Sequence, residues 1–152
     1  MKEITEIGTN KKAYHSYTIL KTYESGIVLL GTEVKSLKMK NMNFCNSYAS
    51  FKNKELFLFD LKIEPYLFGS HQNHNLSRIR KILLKKSELK KLEQTIQEKG
   101  ISIIPLKIYI KNNKIKILLG IAKGKTYSDK RETIKDRETA REISSVLKKR
   151  AY

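Results

Sequence analysis

Cysteine is almost missing from this chain: Cys45 is the only one in 152 residues. A single thiol closes no intramolecular disulfide and cannot anchor a structural zinc site, which excludes a disulfide-stapled scaffold and a zinc finger. Long apolar runs are missing as well. The most apolar stretch, Ile115 to Ala122, is interrupted by Lys116 and is too short to span a bilayer. There is no basic helix with a large apolar face, so a membrane-surface binder is not expected. The opening words, MKEITEIGTNKKAYH, hold no apolar core that could serve as a secretion signal, and a cytoplasmic location is the expectation. Acidic side chains are scarce. Fifteen Asp+Glu stand against 32 Lys+Arg, a formal net charge of +17. Self-repulsion at that charge opposes compactness, and a cell normally offsets it with a polyanion. With the membrane set aside, nucleic acid is the leading partner.

What is present fits one domain. The length is typical of a single domain, and a hydrophobic fraction of 39% is enough for a core. Six segments read as strands: Tyr14 to Leu20, Gly26 to Leu30, Tyr48 to Lys52, Glu55 to Asp60, Ile103 to Ile110 and Ile115 to Ala122. Asn53-Lys54 joins the third and fourth as a tight hairpin, and a turn around Asn112-Asn113 joins the last two. Six short strands with turn signals predict a closed antiparallel barrel. Two helices interrupt them. Thr32 is placed to cap one containing Val34 and Leu37. Ser87 is placed to cap the other, which carries Leu89, Leu92 and Ile96 and stops at Gly100. Beyond Ala122 the character changes. Residues 129 to 152 are almost all polar or charged and too poor in apolar residues for a core of their own, yet they contain no Pro or Gly to forbid a helix. The chain therefore divides into a barrel, residues 1–128, and a basic tail, residues 129–152.

Three constellations are candidates for contact with phosphate. Arg78, Arg80, Lys81, Lys85 and Lys86 flank Ile82-Leu83-Leu84, and an arginine grips phosphate through two bonds. Against this stands a solvated basic face around a strand. Lys123-Gly124-Lys125 places a residue without a Cβ between two ammonium groups. It lacks the full glycine-rich pattern of a nucleotide-triphosphate loop but suits an RNA backbone. In the tail, Lys130, Ile134, Arg137, Arg141 and Lys148 fall within roughly a 60° arc of a helical wheel. Arg137 and Arg141, four apart, repel by a few tenths of a kcal/mol, so the helix is marginal when free and favoured on a polyanion. The alternative is a disordered solubilising tail.

Catalysis finds little support. His71 and His74 have no nearby carboxylate to complete a relay, and a His-x-x-His pair in a loop rarely binds metal without further ligands. His15, in a predicted strand, can stack on a base as RNA readers do, or be a surface residue with no role. Phe57 and Phe59 alternate like a stacking platform, with Leu56 and Leu58 on the opposite face, and core packing is the expected role for them. No general base and acid, and no metal cluster, can be assembled for a nuclease. The chain is expected not to be an enzyme and to need no cofactor.

In order along the chain, these segments resemble the SsrA-binding protein (small protein B) family, the partners of transfer-messenger RNA in bacterial ribosome rescue. The matching words are Asn10 to Tyr17 (NKKAYHSY), Glu24 to Leu37 (ESGIVLLGTEVKSL), Asn46 to Ala49 (NSYA), Ile63 to Tyr66 (IEPY) and Asn73 to Leu84 (NHNLSRIRKILL). Ala122 to Lys125 (AKGK), Asp129 to Arg131 (DKR) and Ile134 to Glu138 (IKDRE) complete the set. The resemblance implies a mainly β, oligonucleotide-binding-type barrel of six antiparallel strands with flanking helices. It implies a grip on the tRNA-like domain of transfer-messenger RNA at its elbow and delivery of that RNA to stalled ribosomes, with one protein per RNA. RNA contacts would fall on Glu24, Leu83, Lys116, Lys123, Gly124 and Lys125. His15 would face the decoding centre. The tail, disordered when free, would lie as a helix in the empty messenger channel through Asp129, Lys130, Arg131, Ile134 and Lys135. The chain departs from the family pattern twice. Lys85 stands where Asn is common, and Thr139 stands where a Trp often ends the tail motif. A general oligonucleotide-binding translation factor or ribosomal protein is the rival reading; it shares the barrel and charge but not the preference for a tRNA-like elbow.

Overall fold

The structure, a computed structural model, describes residues 3–150. Strand β1 (Ile4–Thr9) leads into helix α1 (Lys11–Ser16) and the long strand β2 (Tyr17–Ile27). Helix α2 (Gly31–Lys38), strands β3 (Met42–Asn43), β4 (Tyr48–Lys52), β5 (Glu55–Phe59), β6 (Lys62–Ile63) and β7 (Arg80–Leu83), and helix α3 (Lys86–Thr95) follow. Strands β8 (Ile101–Lys111) and β9 (Lys114–Gly124) then form a long hairpin, and helix α4 (Tyr127–Arg150) ends the described chain.

The strands close on themselves. β8 pairs with β4, then β5, β7, β2 and β9 follow in turn, and β9 returns to β8; the six form an antiparallel ring. Closure removes the unpaired edges that would otherwise template aggregation. β1 is appended to the far half of β8, from Ile4 opposite Lys111 to Thr9 opposite Lys107, while Ala49 of β4 meets Ile103 on the near half. The predicted six-stranded barrel is thus observed, with a different membership. Tyr17–Ile27 is one strand where the sequence suggested two, and Arg80–Leu83 supplies the sixth. Gly26, expected to open a second strand, lies inside the first. In the fold a Cβ there would stand 3.3 Å from that of Leu83, so the strand continues where a larger residue would crowd its neighbour.

The core fills the ring from alternate positions. Leu56, Leu58, Ile82, Ile103, Ile108, Ile117, Leu119 and Ile121 point inward, closed off by Leu37 of α2 and Leu92 of α3. Each fully buried Leu or Ile contributes about 1.5–3 kcal/mol. Phe57 and Phe59, expected in the core, lie on the outer face, where Phe59 stacks on Tyr48 at 5.3 Å. With a side-chain period of two, placing the leucines inside turns the phenylalanines out. Both predicted hairpin turns form: Asn53-Lys54 and Asn112-Asn113 take the left-handed conformation that tight two-residue hairpins require.

The helix starts differ from expectation. α2 begins one residue before Thr32. Leu30 takes the cap position and its N–H donates to the Glu33 carboxylate at 2.9 Å, which leaves the Thr32 hydroxyl to pair with His74 Nδ1 at 2.9 Å. α3 does the same: the Lys85 N–H donates to Glu88 at 3.2 Å and Ser87 already lies inside the helix. A carboxylate reaching back to the cap N–H replaces the hydroxyl cap. α3 ends at Thr95 rather than Gly100, which at φ 84° turns the chain into β8. α1 takes the first three residues of the strand expected from Tyr14, and the rest of that strand, from Tyr17, forms as part of β2. Asn10 nucleates α1, accepting the Ala13 N–H at 3.1 Å while its own amide donates to the Pro105 carbonyl at 2.9 Å. His15 is therefore helical. α4 is continuous, and none of its described side chains is buried. It starts at Tyr127, just before the expected boundary, where the Thr126 N–H and hydroxyl both donate to Asp129 at 2.9 and 2.6 Å. Ala151 and Tyr152, at the end of the expected tail, lie outside the described residues.

Candidate nucleic-acid interface

The densest basic cluster of the sequence divides on folding. The Arg80 side chain is 0% exposed: its guanidinium holds Glu33, also 0% exposed, at 2.8 Å and donates to the Leu61 carbonyl at 2.7 Å. Arg78 donates to both Glu33 oxygens, at 3.0 and 2.7 Å, and to the Val28 carbonyl at 3.2 Å. Burial disfavours the Glu33 charge, but Arg78, the Leu30 N–H and Arg80 outweigh it and hold the carboxyl at about 2. These arginines fasten α2 to β7. Arg80, predicted to contact RNA, cannot do so from inside the protein, and most of Arg78's donors are committed. The strand alternation is the reason: Arg80 and Ile82 point in, Lys81 and Leu83 point out. Of the other predicted members, Lys81 pairs with Glu55 at 2.9 Å near the surface, and Lys85 and Lys86 are exposed.

A second group forms on the outer barrel wall. Register places Gly26 opposite Leu83 on one side and Lys116 on the other, and Lys116 opposite Tyr109. Leu83, Lys116 and Tyr109 thus lie in one line across β7, β2, β9 and β8. Glu24 and Lys111, two residues along from Gly26 and Tyr109, share that face. Glu24 accepts the Tyr109 hydroxyl at 2.5 Å and the Lys111 ammonium at 3.0 Å. Those bonds, Tyr109 first, hold its carboxyl below the usual range, while burial and the Glu24 charge push the Tyr109 phenol up. Leu83 beside it is 49% exposed. The result is an ionised acceptor in a fixed position, flanked by cations and an apolar side chain. Tyr109 and Lys111 were not singled out in the sequence. Their alternate spacing on a strand is the signal that could have found them, but only the register pairs them with Glu24.

The third group lies along β9, roughly 23 Å from Lys116 at about 3.3 Å per residue. Lys123 and Gly124 are exposed at the barrel mouth, opposite Thr18 and Tyr17. The Lys125 ammonium donates to the Tyr14 carbonyl at 3.2 Å and to the Thr133 hydroxyl at 3.1 Å, joining α1 to the first turns of α4. His15 is half-buried in α1, and its Nδ1 has no hydrogen-bond partner among the described residues. Asp129 is held below its usual pKa by Thr126. Lys130, Arg131, Ile134 and Lys135 occupy the next turn and a half of α4, with Ile134 43% exposed. His15, the Lys-Gly-Lys run and the start of α4 therefore adjoin one another, while the Glu24 group stands apart. Among the described residues no three His, Cys, Asp or Glu gather as a metal site, and no helix is long and apolar enough to cross a membrane.

Comparison with known proteins decides the family. The model described as "SmpB protein" matches residues 7–149. The chain belongs to the SmpB family. SsrA-binding proteins of Geobacter metallireducens and Ligilactobacillus salivarius are 48% and 49% identical to it; the aligned regions cover 95% and 93% of this chain, and 95% and 92% of theirs. The one from Syntrophobacter fumaroxidans is 49% identical over 93% of this chain and 88% of its own. A solved structure from work described as "tmRNA-SmpB: a journey to the center of the bacterial ribosome" superposes with a TM-score of 0.68 at 44% identity, covering 84% of this chain and 93% of that one. The SmpB match spans the barrel and nearly all of α4, so it embraces both the Glu24 group and the Lys-Gly-Lys group. The 93% coverage of the solved SmpB chain shows that its fold is shared almost throughout.

Proposed function

We propose that this protein binds the tRNA-like domain of transfer-messenger RNA and carries it to stalled ribosomes for rescue and tagging of the nascent chain. The observation that carries the reading is the fixed Glu24 carboxylate amid Lys111, Lys116 and Leu83, within a chain matched to the SmpB family over residues 7–149. A carboxylate facing RNA has nothing to gain from phosphate. It accepts hydrogen bonds from ribose hydroxyls or base edges, which is how a protein tells folded RNA from generic polyanion. Lys116, Lys123 and Lys125 neutralise phosphates, and Gly124 lets a backbone approach closely. Lys81 and Leu83 extend the contact along β7, and Lys85 at the cap of α3 continues it.

The chain divides its work at the start of α4. Residues 1–128 grip RNA; residues 129–152 address the ribosome, with His15 and Gly124 beside the root of the helix. The basic stripe of Lys130, Arg137, Arg141 and Lys148 fits a messenger channel walled by RNA, and occupies it only when it is empty. The tail orders fully on that surface, where its like charges find phosphate. The chemistry belongs to the ribosome and the RNA; this protein supplies recognition and shape, acts in the cytoplasm and is no enzyme.

Pull-down of the tagged protein from a bacterial lysate, followed by sequencing of the bound RNA, tests the reading. Enrichment of one long tRNA-like species is the expected result, resistant to competition by unstructured RNA. Capture of mixed RNAs, displaced equally by any competitor, would leave only a generic oligonucleotide binder.

A further inference from the structure

The loop between β6 and β7 carries the most exposed large apolar side chains described in this protein: Leu67 is 76% exposed and Phe68 79%. Single exposed apolar residues are ordinary. These two differ because the loop that presents them is tied. Asn73 closes it as a two-way bracket. Its carbonyl oxygen accepts the Tyr66 N–H at 3.1 Å, and its amide donates to the Tyr66 carbonyl at 2.8 Å. The Gly69 N–H returns to the same carbonyl at 2.9 Å, and a Cβ at Gly69 would stand 2.7 Å from the Asn73 amide nitrogen. The bracket needs a glycine there. Behind it, His74 is buried and anchored by Thr32 at 2.9 Å and the Ile63 carbonyl at 2.8 Å. Tyr66 meets the Phe68 ring edge-on, with centroids 5.7 Å apart.

The surroundings are polar and basic. Lys35 of α2 lies 5.3 Å from the centre of the Tyr66 ring. Lys38 on the same helix and Lys62 on the adjoining β6 are exposed, with Glu64 the opposing carboxylate, its carbonyl held by the Ser36 hydroxyl at 2.6 Å. Ser70, His71 and Gln72, also exposed, complete the loop. A protein partner calls for a broad apolar patch. An aromatic tip on a rigid loop beside ammonium groups suits one unstacked base, with its phosphates over the lysines. We infer that Phe68, braced by Tyr66 and flanked by Leu67, is a stacking platform for an unstacked base of the bound transfer-messenger RNA. It is a second point of contact, separate from the Glu24 group. The inference rests on the RNA-binding reading above.

The chain contains no tryptophan, so Phe68→Trp introduces a single indole reporter. Titrating it with full-length transfer-messenger RNA should quench its emission, with the midpoint given by labelled-RNA anisotropy. Phe68→Ala should bind that RNA about tenfold more weakly, the loss of one base–aromatic stack, at unchanged melting temperature, and Phe68→Trp should retain affinity. Unquenched emission together with full affinity of Phe68→Ala, while wild type still binds, would overturn the platform and leave the function intact. Quenching by ribosomes but not by the RNA would also overturn it. If wild type itself fails to bind the RNA, the functional reading falls and the platform with it.

Discussion

The barrel and α4 are both basic, yet they handle their charge in opposite ways. In the barrel, the closest pair of arginines in the sequence is tied down, Arg80 buried and Arg78 half-buried. Arg78 and Arg80 close on Glu33 and leave the surface to lysines. In α4 no described side chain is buried, and Lys130, Arg137, Arg141 and Lys148 fall along one stripe. The barrel thus ties part of its charge to its own fold, whereas α4 buries none of its described side chains. The difference teaches that charge density along a sequence is a poor guide to charge at a surface. What decides is which cations the strand alternation turns inward and which find a carboxylate there.

Breaking the barrel's side of this comparison should have the largest effect. Glu33→Ala strands two arginine charges at the α2–β7 junction and should cost about 3–5 kcal/mol, a fall in melting temperature of about 10 °C or more for a chain of this size. The same clasp fixes an acid response. Glu33 is held at about 2 against an ordinary value of 4.5, so its contribution is complete above pH 4.5 and lost as pH falls toward 2. Glu33→Gln should flatten the stability curve over that window in chemical-denaturation titrations. An unchanged acid limb would mean that Arg78 and Arg80 are not held by the Glu33 charge.

The next effect is electrostatic. With Arg80 buried and most of Arg78's donors committed, six lysines remain of the barrel's basic positions singled out for phosphate: Lys81, Lys85, Lys86, Lys116, Lys123 and Lys125. At 0.7–0.9 per phosphate, log affinity should fall with log salt at a slope of roughly −5, where counting both arginines would give roughly −6. Filter binding across a salt series distinguishes the two. Smaller again, Glu24→Ala should weaken binding to the tRNA-like elbow about tenfold, as one charged hydrogen-bonding site is lost, while weak binding to random RNA stays. Lys125→Ala should weaken both. Equal tightening toward every RNA by Glu24→Ala would make that carboxylate a mere repeller.

Much of this was legible in the sequence. The alternation of Glu55 to Asp60, the two asparagine turns and the long apolar stretches near residues 105 and 118 give a closed barrel. The words around Glu24 to Leu37 and Ala122 to Lys125 carry the family. The failures have physical causes. Gly26 looked like the start of a separate strand, whereas β2 runs on through it from Tyr17, and its close approach to Leu83 is made only in three dimensions. Thr32 and Ser87 looked like caps because hydroxyls usually are; here Glu33 and Glu88 reach back instead. His15 looked like a strand residue because the Asn10 cap draws its support from Pro105, far along the chain. Arg80 looked like an RNA contact because nothing local announces a buried carboxylate 47 residues away.

The most direct test is to remove residues 129–152 and measure two things on the same protein. Affinity for transfer-messenger RNA should fall only modestly and melting should be nearly unchanged, because the barrel's core and RNA-facing groups lie before Asp129. Tagging of the nascent chain on a stalled ribosome should be lost, and Lys130→Glu with Arg137→Glu in the full chain should copy that loss. Full tagging activity by the truncated protein would contradict the division of labour between barrel and helix.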